Sequence, residues 1–471
     1  MARVVVVGGA GAEALERLGG LAAVARLARQ RHEVIWVEPN TPDPETPRMR
    51  ADPASFTLPA VYRDLFAKTG RPLGSVVDLV PVDPARRFVL ADGSVLDLPT
   101  GNRAATLDAF GRALGSASAY AWDAMITEAG VMWDGLRRTL AGPPDGAESS
   151  RSRPPSWTGR RGSLRAFARA RLPDPRARAI LEWYTSAAGA DPVLAPAALA
   201  VLAYTEHAFG SWQVAGGLPA LVDAIADRAV LRGASCHPGT ITDIRTEGGQ
   251  VVAVTLADGT TIATDLVVDA TGSGISTPAR HSDRTEQQEQ EIVAWLRSDG
   301  DAAELPVEIV ELDASGRAAV VVRRPDLTGD PGGLTVSWPK PAGVRPADLP
   351  GLVHQGLADL VRLDVRLNAS LVAVRTLATR SAATLASRTV AGGRALPRSP
   401  RHRRDLAPWL VADPVVLAPG WFRVGTAARG SASIPYLGLS AARVAHKCGT
   451  VPRAAVRDRD RRAADRPQWP S

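Results

Sequence analysis

The stretch RVVVVGGAGAEALERLGGLAAVARLARQRHEVIWVE, residues 3–38, decides the fold. Val4 to Val7 is an unbroken β-branched run, suited to a strand buried on both faces of a parallel sheet. Gly8-Gly-Ala-Gly11 is a glycine-rich turn, and Leu15, Leu18, Leu21, Ala25 and Ala28 lay an apolar stripe along a helix from Ala14 to Arg31. Glu33-Val-Ile-Trp-Val37 returns as a second strand that ends in Glu38. Strand, glycine turn, helix, strand and terminal acid together form the layout of a dinucleotide-binding half.

Gly9-Ala-Gly11-Ala-Glu-Ala14 satisfies the phosphate fingerprint G-x-G-x-x-A, a weak signal alone that its flanking elements strengthen. Its spacing is unusual. Glu38 lies 29 residues beyond Gly9 but 18 beyond Gly20, against roughly 20 for a ribose-binding acid. The segment AGAEALERL therefore carries about seven additional residues, or about two helical turns. Either the helix starts early with Gly19 and Gly20 inside it, or the phosphate loop is swollen.

Working outward, residues 39–55 hold five prolines and no glycine and form a connecting loop. Residues 57–69 read as a helix, and 87–98 as a hairpin about Asp92-Gly93. A helical region follows from 101 to 200, interrupted at 142–163 by a linker rich in Pro, Gly, Ser and Arg. From 216 to 268 the pattern returns to α/β, with a helix after Gly216-Gly217, a strand near Ile241 and a hairpin at Asp258-Gly259. Antiparallel strands are expected over 307–338, a helix over 348–364, and a final strand and helix over 420–446. The order implies one domain threaded through by another: an α/β, Rossmann-type dinucleotide-binding domain from residues 1–100, 200–275 and 405–450, with an interleaved α+β substrate domain from 101–199 and 276–404. Residues 451–471 read as a disordered tail.

Composition excludes several classes. The 471 residues are 45% hydrophobic and 22% charged, an ordinary globular balance. The net charge of +7 is mostly arginine bias, with Lys68, Lys340 and Lys447 the only lysines. Its scatter among acids argues against nucleic-acid binding, which needs clustered basic faces, and suits peripheral contact with an anionic membrane surface. Cys236 and Cys448 stand apart, so neither a disulfide scaffold nor a metal site is expected. With no secretory signal and no run of 18 apolar residues, the expected location is cytoplasmic.

Five stretches in order carry a family resemblance: VVVVGG with GGLAAVARLARQRHEVIWVE; FTLPAVYRDLFAKTG with LVPVDPARRFVLADGSVLDLP; DPRARAILEWYTSAAGADPVLAPAAL; GSWQVAGGLPAL; and VGTAARGSASIPYLGLSAARVA. Over residues 3–446 the chain resembles the phytoene desaturases of the FAD-dependent amine oxidoreductase superfamily. The resemblance implies that Gly8, Gly9, Gly11 and Gly20 line the FAD pyrophosphate, that Glu38 holds the adenosine ribose, and that Ile241 and Ile244 flank the adenine. Gly425 to Pro435, with Thr426 and Ile434, would be the second flavin segment. The chain departs from the pattern in three places. Its glycine turn is enlarged; Arg429-Gly430-Ser431 replaces the usual His-Pro-Gly; and no glycine occurs from Leu21 to Thr69, where family members carry Gly-Gly-Arg or Gly-Gly-Lys.

The implied reaction dehydrogenates a hydrophobic, isoprenoid or carotenoid substrate by hydride transfer to flavin, so the cofactor carries the difficult step. No catalytic residue is fixed; Arg429 and Tyr436 are weak candidates. Glu206-His207 reads as an acid/base pair or, more simply, as surface polar residues. Trp183, Tyr184 and Trp212 read as cavity lining or, more simply, as core aromatics. The alternative is a flavin-free homologue acting as a hydrophobic-ligand binding or escort protein, or as a non-redox isomerase. A nicotinamide dehydrogenase would leave the return at 420–446 without a role.

Overall fold

The computed structural model describes residues 1–8, 14–38, 54–141, 162–188, 191–193, 195–271, 290–298, 305–324, 333–339, 348–360, 369–378, 415–425 and 434–449. Strand β1 (Arg3–Val7), helix α1 (Ala14–Arg29) and strand β2 (Glu33–Glu38) form the opening β-α-β unit. β1 pairs in parallel with β2 on one side, Val4 opposite Val34, and with Leu266–Asp269 on the other, Val4 opposite Leu266. Parallel strands Ser235–Pro238 and Trp421–Arg423 extend this sheet outward, and Val415–Ala418 closes one edge antiparallel. Val4, Val5 and Val6 are essentially inaccessible, as an all-apolar central strand covered on both faces requires.

α1 carries more than a stripe. Leu18, Leu21 to Ala25, and Leu27 are all buried, because the helix is sandwiched between the sheet, the helix Leu218–Leu231 and the C-terminal helix Ile434–Cys448. Its glycines and alanines let these neighbours close in. On the opposite face of the sheet, a three-stranded antiparallel layer (Ile241–Glu247, Gln250–Leu256, Thr261–Ala263) packs Ile241, Val251, Val254 and Leu256 against Val5, Val7 and Val37.

The second domain is built on a seven-stranded sheet whose order runs Ala369–Ala378, Gln290–Ser298, Gly333–Pro339, Ala318–Arg323, Glu308–Leu312, Arg86–Val89, Val95–Leu98. The hairpin 86–98 was expected in the nucleotide-binding part, within 1–100, and this boundary is corrected. Arg86–Val89 pairs in parallel with Glu308–Leu312, Phe88 opposite Val310, because the buried side chains Phe88, Leu96 and Leu98 match that sheet's helical core. That core comes from the helices Arg103–Leu114, Ser116–Ala141, Leu164–Arg171 and Pro175–Ala187, with Phe110 stacked on Trp122 at 4.5 Å between ring centroids. Asn102, Ser163 and Asp174 cap three of these helices through side-chain oxygens.

Candidate functional site at the carboxyl end of the parallel sheet

The site lies where β1 and β2 end, the position at which doubly wound sheets take a dinucleotide. Glu38 ends β2, and its main-chain carbonyl accepts a hydrogen bond from the Gly239 N–H at 2.8 Å. The Gly8 N–H donates to the Val37 carbonyl at 2.7 Å, and a Cβ on Gly8 would fall 2.7 Å from Glu38 Cγ. Only glycine fits there, so the acid rests directly on the backbone of the turn. Gly9 and Gly11 lie outside the described residues.

Helix α1 begins at Ala14, so of the two arrangements open from the sequence, the early start is the one formed. Five residues at 1.5 Å each carry the helix about 7.5 Å ahead of Gly19. Gly20 was expected to line the pyrophosphate; it sits inside the helix instead, where a Cβ would lie 2.9 Å from Ala270 Cβ and 3.9 Å from Val6 Cγ1. Its role is close helix–strand packing, as for the third glycine of a fingerprint.

The early start brings a residue that the sequence reading passed over. Arg17 donates from Nε to Glu38 Oε1 at 3.2 Å and from Nη2 to Oε2 at 3.0 Å, while its Nη1 lies 3.8 Å from Asp223 Oδ1. The Arg17 and Glu38 side chains are only 24% and 16% exposed, so this is a bidentate, partly buried pair. The signal was its position inside the additional AGAEALERL segment, eight residues beyond Gly9. Cys236 lies on the strand beside β2; desolvation and Glu38 raise its thiol pKa, against a lowering by Arg17.

The second half of the site comes from the chain's return. Gly425, at φ +70°, follows the strand Trp421–Arg423, and its N–H donates to Ser440 Oγ at 3.1 Å. Ile434 is buried, and its carbonyl accepts the Tyr62 hydroxyl at 2.6 Å. Tyr436 is buried in the same helix, and burial drives its phenol pKa far above the ordinary value, so it stays protonated at neutral pH. Thr426 and Arg429 lie outside the described residues. Between the two halves, Asp269 is fully buried and accepts from Arg423 Nε at 3.3 Å and from the Thr271 N–H at 2.9 Å.

Glu206 and His207 do not form an acid/base pair, and Glu206 is no surface residue. Arg86, buried, donates from Nη1 to both Glu206 oxygens at 2.6 and 2.8 Å and from Nε to Glu308 at 2.9 Å, and Arg323 completes Glu308 at 2.9 Å. The Arg86 guanidinium also stacks over Trp183, 4.4 Å from its ring centroid, and the Tyr184 hydroxyl donates to Glu206 at 2.5 Å. Trp183 and Tyr184 are therefore core aromatics enclosing a satisfied ionic cluster. Trp212 donates from Nε1 to the Phe209 carbonyl at 3.0 Å and carries Arg63 over its ring. Burial lowers the His207 pKa, and its Nδ1 lies 3.4 Å from Thr106 Oγ1.

Among the described residues no group of three His, Cys, Asp or Glu side chains is placed to hold a metal, and no helix is long and apolar enough to cross a membrane.

Fold and site define a Rossmann-type FAD/NAD(P)-binding domain interleaved with an α+β domain. The same architecture covers 94% of this chain and 99% of an oxidoreductase from Methanosarcina mazei, with a TM-score of 0.57 at 16% identity. In sequence, the model of flavin containing amine oxidoreductases matches residues 144–291. The chain is 31% identical over 288 residues to hydroxyneurosporene desaturase of Cereibacter sphaeroides, covering 56% of this chain and 55% of the relative. It is 29% identical over 291 residues to the zeta-carotene-forming phytoene desaturase of Myxococcus xanthus, covering 56% and 53%. The chain thus spans about half the length of the curated relatives it matches. Over that half it is similar to these desaturases, and its segment 144–291 to the flavin containing amine oxidoreductases.

Proposed function

We propose that the protein is an FAD-dependent oxidoreductase that dehydrogenates a hydrophobic isoprenoid substrate of the carotenoid class. The observation that carries this reading is the seating of Glu38 at the tip of β2 directly over Gly8, in a protein whose relatives are named carotenoid desaturases. The residues fit an adenine dinucleotide: an acceptor for the ribose diol, a glycine turn without side-chain bulk, and Gly425 in the left-handed conformation where the chain returns. Bound there, FAD supplies the hydride acceptor.

The chain's own residues bind and orient. Glu38 would accept the ribose hydroxyls, Gly8 would let the main chain approach the phosphates, and Ile241, packed with Val5, Val7 and Val37, would flank the adenine. The Arg86 cluster fixes the second domain's sheet against its helices. The positive net charge favours peripheral docking of this cytoplasmic protein on anionic membrane, where such a substrate partitions.

The test is reconstitution of purified protein with excess FAD, read as bound flavin absorbance and flavin-dependent thermal stabilisation. Anaerobic incubation with a liposome-borne acyclic carotene then checks for longer-wavelength absorbance bands as conjugation extends. A protein that neither retains nor is stabilised by FAD sinks the proposal and leaves the escort or isomerase role.

A further inference from the structure

We infer that Arg17 is an internal competitor for the adenosine ribose and sets the selectivity of the cleft for dinucleotides. This rests on the flavoprotein reading above. The ribose-binding acid of a dinucleotide fold receives the vicinal ribose hydroxyls on its carboxylate. Here both carboxylate oxygens of Glu38 are already engaged by one guanidinium, at 3.2 and 3.0 Å. A bidentate arginine fills the carboxylate edge on which both oxygens face a single partner, leaving only the outer lone pairs, so a vicinal diol that chelates the same edge displaces it.

Four features make the pair a built element. It is partly withdrawn from water, which strengthens it relative to an exposed ion pair. It is locked from below, because Gly8 leaves Glu38 Cγ packed on the main chain, and it is braced by Asp223 on a separate helix. Finally, Arg17 reaches Glu38 only because α1 begins at Ala14, ahead of Gly19. The additional segment and the closed acid are one structural change.

Binding of an adenine dinucleotide must therefore break the pair and release Arg17 toward Asp223 and solvent. A flavin mononucleotide lacks adenosine, makes no claim on Glu38, and is indifferent to Arg17. Removing the guanidinium should tighten FAD roughly tenfold, equivalent to about 1.4 kcal/mol, with no change for FMN.

The experiment titrates full-length wild type, Arg17→Ala and Arg17→Met with FAD and, separately, with FMN by equilibrium dialysis. Circular dichroism confirms folding, and Arg17→Met preserves the aliphatic packing of the side chain. Tighter FAD with unchanged FMN in either folded variant supports the inference. Equal FAD binding in all three proteins overturns the competitor role and leaves the flavoprotein reading standing. Weaker FAD binding in both variants overturns it by making Arg17 a ligand. No FAD on any of the proteins overturns both readings.

Discussion

Gly19 and Gly425 meet main chain to main chain: a Cβ on Gly19 would fall 2.5 Å from the Cα of Gly425. This approach joins the first helix to the returning C-terminal segment at the head of the parallel sheet, more than 400 residues away in sequence. Two distant parts of the chain are thereby held at one spacing, on which any ligand bridging them depends.

Gly19→Ala should destabilise the protein by about 1–3 kcal/mol through overpacking, although alanine is the better helix former by roughly 1 kcal/mol. Gly111, in the helix Arg103–Leu114, has nothing within 4 Å of its would-be Cβ. Gly111→Ala should therefore stabilise by about 0.5–1 kcal/mol. Urea midpoints of the two variants, moving in opposite directions, check both.

Tyr62→Phe removes the hydroxyl that satisfies the buried Ile434 carbonyl and ties the helix Ala60–Thr69 to the C-terminal helix. A loss of about 0.5–1.5 kcal/mol is expected, the net worth of one intramolecular hydrogen bond. Hydrogen exchange should report loosening at the start of the C-terminal helix, and unaltered exchange there would refute the link.

Arg86→Met leaves Glu206 without its guanidinium and Glu308 with Arg323 alone, and should cost about 3–5 kcal/mol. The pH dependence follows from Glu308. Burial opposes its carboxylate, but Arg86 and Arg323 outweigh that and hold its pKa below the ordinary 4.5. A folded-state pKa below the unfolded value gives stability that is complete above about pH 4.5 and is lost as the pH falls through the lower folded value. Glu308→Gln should flatten this acid limb in urea titrations between pH 7 and 3, whereas a limb of unchanged slope would count against the assignment.

The two thiols should react at different rates. Cys448 is half-buried and burial pushes its pKa up to about 11, whereas Cys236 is exposed. At pH 8 a thiol-specific reagent should label Cys236 first, because only thiolate reacts and little of Cys448 is ionised. Bound FAD should slow labelling of Cys236, which stands on the strand paired with β2.

The opening β-α-β unit was legible because its signals are local and agree: a β-branched run, glycines, and an acid where β2 stops. The hairpins at Asp92-Gly93 and Asp258-Gly259 were legible for the same reason. Membership of a sheet was not. The hairpin 86–98 joins the far domain through a pairing more than 200 residues distant, which no local pattern encodes. The strands Gln290–Ser298 and Ala369–Ala378 pair with each other across 71 to 88 residues and escaped the sequence reading. At the site, Glu38 was expected from its place at the end of β2 and Gly8 from the family resemblance, whereas Arg17 was hidden, because its contact with Glu38 depends on where α1 starts. Glu206 was misread because its partners Arg86 and Tyr184 lie on other elements.

The sheet order also constrains how the protein is made. β1 is synthesised well ahead of a central neighbour: Val4 pairs with Leu266, 262 residues later. At roughly 5–20 residues per second, that neighbour arrives only after some tens of seconds. During this interval an apolar strand with open edges must be shielded, so yield in cells should depend on chaperone capacity more steeply than the finished molecule's stability would suggest.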